Sequence, residues 1–351
     1  MRSPLHFVVP GPLDQRTGGY IYDRRIVEGL RALGSTVQVH ELAGCFPLAD
    51  EVARAAAAEA VANVSPGVLA IIDGLALPAF AELQDRLSRR WVALVHHPLA
   101  LETGLTPSEA RSFADIERRL LACAARVIVT SPGTRRDLAA YDIEPVRIGV
   151  VCPGTDPAPL ARGSGGPGLA LLCVASLTPR KGHLVLLEAL AELTALDWRL
   201  TCVGSAERDP ACARSIAAAV ERLHLHERVA LVGERAEADL APFYDRADAF
   251  VLASYHEGYG MVLTEALARG LPVIATRAGA IPETVPEDAG LLVPPGDPQA
   301  LAAALRQVIT EPGARARLMA GARAARAGLP SWHDAARDFA AELARVAGHG
   351  R

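Results

Sequence analysis

The chain has 351 residues, 50% hydrophobic and 22% charged, with a formal net charge of -4. That length and apolar content suffice for a large buried core and for two domains. The small acidic excess excludes non-specific attraction to nucleic acid or to an anionic membrane, so any anion site must be local. Cysteines stand at 45, 123, 152, 173, 202 and 212, with no CxxC and no Cys/His cluster at metal-binding spacing. They are expected to be buried thiols in a reducing compartment. MRSPLHFVVPGP is broken by prolines, and no apolar run is long enough to span a bilayer, which points to a cytoplasmic protein.

Short β-branched or leucine-rich runs alternate with alanine-rich segments of helical period, the pattern of parallel sheets covered by helices. HFVVP reads as a strand, followed by the loop GPLDQRTGG, the helix YIYDRRIVEGLRALG and the strand TVQVHEL. VLAIIDG, WVALVHH and RVIVTS follow, the last leading into a helix from Pro132. CPGTDPAPLARGSGGPG, from Cys152 to Gly168, reads as a linker. The pattern then restarts with LALLCVAS, WRLTCVG, RVALVG, AFVLAS, PVIAT and GLLV as strands, and GHLVLLEALAELTAL and GMVLTEALARG among the helices. Beyond Asp297 the chain is helical, with Ser331 capping a final helix. The class is α/β, with two doubly wound units, and a cleft between them is the expected ligand site.

Several loops carry chemistry. SLTPRKGH places Arg180 and Lys181 where a helix begins, a position the helix dipole makes unfavourable for cations unless an anion joins them. Backbone N–H groups, a guanidinium and an ammonium together suit a diphosphate. HEGYGMVLTE sets Glu257 on a strand-end loop and Glu265 on the following helix, eight positions on. Mostly helical rise separates them by roughly 12 Å, too far for the two carboxylates of a glycosidase, so they are expected to touch different parts of one elongated ligand. The amides of Gly260, Met261 and Val262 form a second anion-binding helix start. Gly18 and Gly19 precede a helix in the first unit, and His96 and His97 end a strand there. GSGGPG matches GxGxxG by letter but precedes a strand, so it is linker and not a dinucleotide fingerprint.

HEGYGMVLTEALARGLPVIATRAGAIPE, with SLTPRKGH, VCPGTD, RVALVG and the closing SW-containing helix in order, resembles the retaining, nucleotide-sugar-dependent glycosyltransferases of the GT-B fold, family 4. The resemblance implies two Rossmann-like domains facing across a cleft. The first, residues 1–157, would take the acceptor and be completed by a helix at about 332–351, and residues 158–331 would bind the donor. It implies that Glu257 contacts donor-sugar hydroxyls, Glu265 binds the ribose, and Arg180 and Lys181 hold the diphosphate. Gly18, Gly19 and the loop Gly258, Tyr259, Gly260, Met261 and Val262 would complete the donor site, with Gly233 and Arg235 near the base. His96 would touch the sugar, with His97 where the family has an aspartate. The implied reaction transfers a sugar from a UDP-sugar, or next a GDP-sugar, to a hydroxyl acceptor by a metal-independent front-face route with no cofactor. Nucleotide-sugar epimerases of the same fold and an inactive binding protein are the alternatives. Glu102 and Tyr20 are candidate acceptor contacts. A helix over SEARSFADIERRLLACAARV, carrying Arg111, Arg118, Arg119 and Arg126, is the candidate for weak peripheral membrane contact.

Overall fold

Most of the apolar runs form strands whose central residues are buried on both faces, as parallel sheets covered by helices require. The computed structural model describes residues 4–65, 67–87 and 90–348. The chain divides into one unit that runs to Gly154 and resumes at Pro330, and a second spanning Thr155–Leu329.

In the first unit the chain follows β1 (Leu5–Pro10), α1 (Gly18–Ala32), β2 (Val37–Leu42), α2 (Glu51–Asn63), β3 (Ala70–Asp73) and β4 (Trp91–Val95). It continues through α3 (Pro107–Cys123), β5 (Arg126–Val129), α4 (Pro132–Asp137) and β6 (Ile148–Val150). The strands form one parallel sheet of order β2-β1-β3-β4-β5-β6. Strand order reverses between β1 and β3, and ligands of such sheets bind beyond the strand ends at that point.

The second unit contains β7 (Leu169–Val174), α5 (His183–Ala191), β8 (Trp198–Val203), α6 (Pro210–Arg222), β9 (Val229–Leu231), α7 (Glu237–Asp245) and β10 (Ala249–Leu252). It ends with α8 (Met261–Ala268), β11 (Val273–Thr276), α9 (Ile281–Thr284), β12 (Gly290–Val293), α10 (Pro298–Thr310) and α11 (Pro312–Ala325). Its parallel sheet has the order β12-β11-β10-β7-β8-β9, with the reversal between β7 and β10.

α12 (Trp332–Gly348) belongs to the first unit. Ser331 Oγ accepts from Asp334 N at 3.1 Å, the expected N-cap. The helix lies on α1, where a Cβ on Gly29 would overlap the Ala336 methyl. Trp332 meets the ring of Tyr22 edge-on with 6.1 Å between centroids, and Glu342 pairs with Arg126. Gly29→Leu is therefore expected to cost about 1–3 kcal/mol through overpacking, although glycine is a poor helix former; denaturant unfolding measures it.

Three expectations change. α1 begins at Gly18, so Gly18 and Gly19 form its first turn instead of preceding it. α3 stops at Cys123 and Arg126 opens β5, 7% exposed, donating to Val146 O and bound to Glu342. Arg118 pairs with Asp115 at 2.8 Å and lies over Tyr141, so the row of four arginines proposed for a membrane surface does not exist on one helix. Of the cysteines only Cys173 and Cys202 are buried, whereas Cys45 and Cys123 are exposed. Among the described residues no helix is long and apolar enough to cross a membrane.

Candidate active site

In the second unit the site grows from the reversal between β7 and β10. After β7 the chain makes a tight helical turn at Pro179–Lys181 and enters α5 through Gly182, at φ +67°. A side chain at Gly182 would overlap the Ala253 carbonyl, so only glycine lets this loop lie directly on the segment that follows β10. Two hydrogen bonds fix the contact: Tyr255 N donates to Arg180 O at 2.8 Å and Arg180 Nη1 donates to His256 O at 2.9 Å.

The internal partner of the two cations is Glu257. Lys181 Nζ lies 2.6 Å from Glu257 Oε1, Ser254 Oγ donates to the same oxygen at 2.6 Å, and Arg180 Nη1 is 3.6 Å from Oε2. Glu257 is 5% exposed. Burial pushes its pKa up, but the Lys181 and Arg180 charges and the hydrogen bonds from Lys181 and Ser254 outweigh it and hold the carboxyl at about 2. The Glu257 carbonyl accepts from Ala280 N at 2.8 Å, and Gly279, at φ +56°, has no room for a side chain against that peptide. An anion does resolve the conflict at the start of α5, and the chain supplies one itself.

Gly260, at φ +84°, caps α8 in the left-handed region, and the first amides of that helix, Met261 and Val262 among them, have no acceptor one turn back. Gly258 and Tyr259 form the loop just before it, and Tyr259 O accepts from Thr284 Oγ1 at 2.8 Å. One turn into α8, Glu265 Oε2 accepts from Tyr244 Oη at 2.8 Å, with Arg269 stacked 4.4 Å over the Tyr244 ring. Burial leaves the Glu265 carboxyl raised despite those two partners. Gly233, at φ +73°, follows β9, two strands along from β7, and its carbonyl accepts from Gly204 N at 3.1 Å. The exposed Arg235 there donates to Glu234 O at 2.9 Å.

In the first unit the strand ends at the reversal carry a charged cluster. His96, just beyond β4, turns Nε2 inward to Asp23 Oδ1 and to Asp73 Oδ2, each at 3.1 Å. Both aspartates are buried, and Asp73 Oδ1 also accepts from Leu75 N at 2.6 Å. The His96 ring packs under the first turn of α1, where a Cβ on Gly19 would lie 3.3 Å from Cδ2, and meets Tyr22 edge-on at 5.4 Å. Burial lowers the imidazole pKa, but Asp23 and Asp73 override it and raise it to about 10. Burial and the neighbouring Asp73 push Asp23 to about 8, while hydrogen bonds from His96 and Asp23 hold Asp73 low. The raised His96 and the lowered Asp73 favour an imidazolium beside a carboxylate, while burial favours the protonated form of Asp23. Nδ1, on a side chain 19% exposed, is the nitrogen left to meet a ligand.

Tyr20 Oη donates to Pro10 O, and Glu102 Oε2 is 3.2 Å from His97 Nε2, so each already has an intramolecular role. Asp23, Asp73 and Ser254 were not read from the sequence. Asp73 had a signal, a carboxylate at a strand's carboxyl end, and so had Asp23, a charge on the apolar face formed by Tyr22, Ile26, Val27 and Leu30.

Residues 67–159 match the family model described as Glycosyltransferase Family 4, and residues 168–311 match that described as Glycosyl transferases group 1. A D-inositol 3-phosphate glycosyltransferase of Frankia alni is 33% identical over 282 residues, covering 72% of this chain and 68% of that protein. Against three other proteins of that name the match spans 58% to 62% of their length. Among solved structures, sucrose-phosphate synthase from Thermosynechococcus elongatus superposes with a TM-score of 0.84 at 24% identity, over 99% of this chain and 100% of that one. Anabaena HepE in complex with UDP-glucose gives 0.78 at 20% identity, over 97% and 99%. At those identities the likeness is one of fold. With both family models matched in order, and with two six-stranded parallel sheets of the GT-B kind, the chain belongs to the group 1, family 4 glycosyltransferases.

Proposed function

We propose that this chain transfers a glycosyl group from a nucleoside-diphosphate sugar to a hydroxyl, with retention of anomeric configuration and without a metal ion. The observation that carries the reading is the buried Glu257 holding Lys181 and Arg180 at the β7/β10 reversal, beside the amide-rich start of α8. Two cations fixed at a strand-end reversal suit a diphosphate, and they stabilise the charge that grows on it as the bond to the sugar breaks. Glu265 is assigned the ribose, and the loop at Gly233 and Arg235 the base. In the first unit the His96 imidazolium is assigned a sugar hydroxyl through Nδ1–H.

In the reaction the bond from the anomeric carbon to the diphosphate oxygen breaks and a bond to the acceptor oxygen forms on the same face. The acceptor proton passes to the departing phosphate oxygen. Glu257 is neutralised by Lys181, and among the described residues its side-chain partners are Lys181, Arg180 and Ser254, with no second carboxylate to act as a covalent nucleophile, which favours the front-face route. A UDP-sugar is the first donor to test, since HepE was solved with UDP-glucose, and a cyclitol phosphate the first acceptor, after the name shared by the relatives.

The test is the melting temperature of the protein with UDP, GDP, ADP or dTDP, with and without EDTA. A nucleotide at a hundred times its Kd is expected to add about 2.7 kcal/mol of stability, and the increment is expected to survive EDTA. A shift that vanishes with EDTA would overturn the metal-free clamp; no shift with any nucleotide would overturn the donor class.

A further inference from the structure

Cys173 on β7 and Cys202 on β8 are register partners in adjacent parallel strands, and partners in register point to the same face of the sheet. α5 covers that face, and its first residue, His183, points its ring inward, with Nε2 3.8 Å from Cys173 Sγ. The two sulfurs and one imidazole nitrogen all lie within 4.8 Å of one another. Exposure of the three residues is 1%, 3% and 3%. Spacings of 10 and 29 residues hide the group in the sequence; only the sheet register assembles it.

The imidazole is poorly served by the protein alone. Nδ1 is buried without a hydrogen-bond partner, and Nε2 has only a long contact to sulfur. Nε2 is the nitrogen turned to the sulfurs and held by nothing shorter than that contact, so it is the one open to an ion, while Nδ1 stays buried beside it.

We propose that Cys173, Cys202 and His183 bind one soft cation of the zinc class. Zinc holds thiolates at about 2.3 Å and imidazole at about 2.0–2.1 Å, which places tetrahedral ligand atoms about 3.5–3.8 Å apart. The observed group needs side-chain shifts within about 1 Å to reach that. Two thiolates and a neutral imidazole cancel a dication, so the buried group carries no net charge. The same softness rejects calcium and magnesium. On binding, both thiol protons leave to solvent while two metal–sulfur bonds and one metal–nitrogen bond form; nothing is oxidised. His183 adjoins Gly182 and lies two residues from Lys181, so the ion would brace the start of α5 from behind and take no part in catalysis.

The test uses the full chain, reduced and given excess Co2+ or Zn2+, both as purified and after unfolding and refolding with the ion present. About one ion per chain and a thiolate-to-cobalt charge-transfer band are expected. Cys202→Val and His183→Gln are expected to weaken binding at least tenfold, while Cys45→Ser and Cys123→Ser leave it unchanged. Absence of the band from the wild-type chain in both preparations would overturn the proposal, whatever the variants do. So would a band abolished by Cys45→Ser or Cys123→Ser, or an intact mass two hydrogens light that maps to a Cys173–Cys202 disulfide.

Discussion

Lys181→Ala is expected to lower kcat/KM for the donor by about a hundred- to a thousandfold, or about 3–4 kcal/mol of transition-state stabilisation. The ammonium touches a buried carboxylate, so the substitution has a second effect that needs no substrate. Glu257 loses its nearest counter-charge and keeps Arg180 at 3.6 Å and the Ser254 hydroxyl. Breaking a buried pair from one side costs about 3–5 kcal/mol of stability, which denaturant unfolding reads separately from turnover. Glu257→Gln separates the roles. It leaves both cations without their internal anion, so UDP alone is expected to bind as well as before or better while transfer collapses. Near-wild-type turnover of Lys181→Ala would remove that residue from the mechanism. Acid supplies a further check. Since the folded carboxyl sits near 2 and the unfolded one near 4.5, its contribution is complete above about pH 5 and is lost as pH falls toward 2, on the order of 3 kcal/mol.

His96→Ala carries the other large effect, and its signature lies on the alkaline side. Removing the imidazole leaves Asp23 and Asp73 buried against each other, expected to cost about 3–5 kcal/mol. In the wild-type chain His96 titrates near 10 when folded and 6.5 when unfolded, so its stabilisation is full below about pH 6.5 and is lost as pH rises toward 10. Asp23, near 8 folded and 3.8 unfolded, also holds its proton longer in the folded state, so stability falls as pH rises between those values. From pH 6.5 to 8 the two act in the same direction, and unfolding free energy is expected to fall with pH by on the order of 1 kcal/mol per pH unit for each proton. Urea unfolding at pH 6.5, 8 and 10 measures the slope. A flat profile in the wild type would show that the cluster does not hold these protons. Asp23→Asn is expected to abolish the Asp23 part and to shrink the His96 part as well, since the Asp23 charge is the larger of the two that raise the imidazole.

Most strands were legible because burial on both faces writes itself as unbroken apolar runs, as in LALLCV and WVALV, whereas the three-residue β6 was too short to be read. α2 escaped notice because EVARAAAAEAVAN sets alanine on nearly every side and offers little periodic contrast. Arg126 was read both as the start of the strand RVIVTS, where it stands, and as the last arginine of the preceding helix, because LACAAR keeps a helical composition past the point where α3 stops at an extended Ala124. Arg180, Lys181 and Glu257 could be read as a site because glycines and paired charges follow a strand within a few positions. The Asp23, Asp73 and His96 cluster could not, since its members come from a helix and two separate strand ends and meet only when β1, β3 and β4 lie side by side.

The return of α12 to the first unit bears on the order of events at the ribosome. Domains usually fold as they emerge, N-terminal first. Here the first sheet lacks the helix that covers α1, and Arg126 lacks Glu342, until the chain beyond Pro330 has been made. The second unit, continuous from Thr155 to Leu329, has no such wait. It is therefore the segment that can reach its final packing first during synthesis, while the earlier-made unit stays open to chaperones until α12 has emerged.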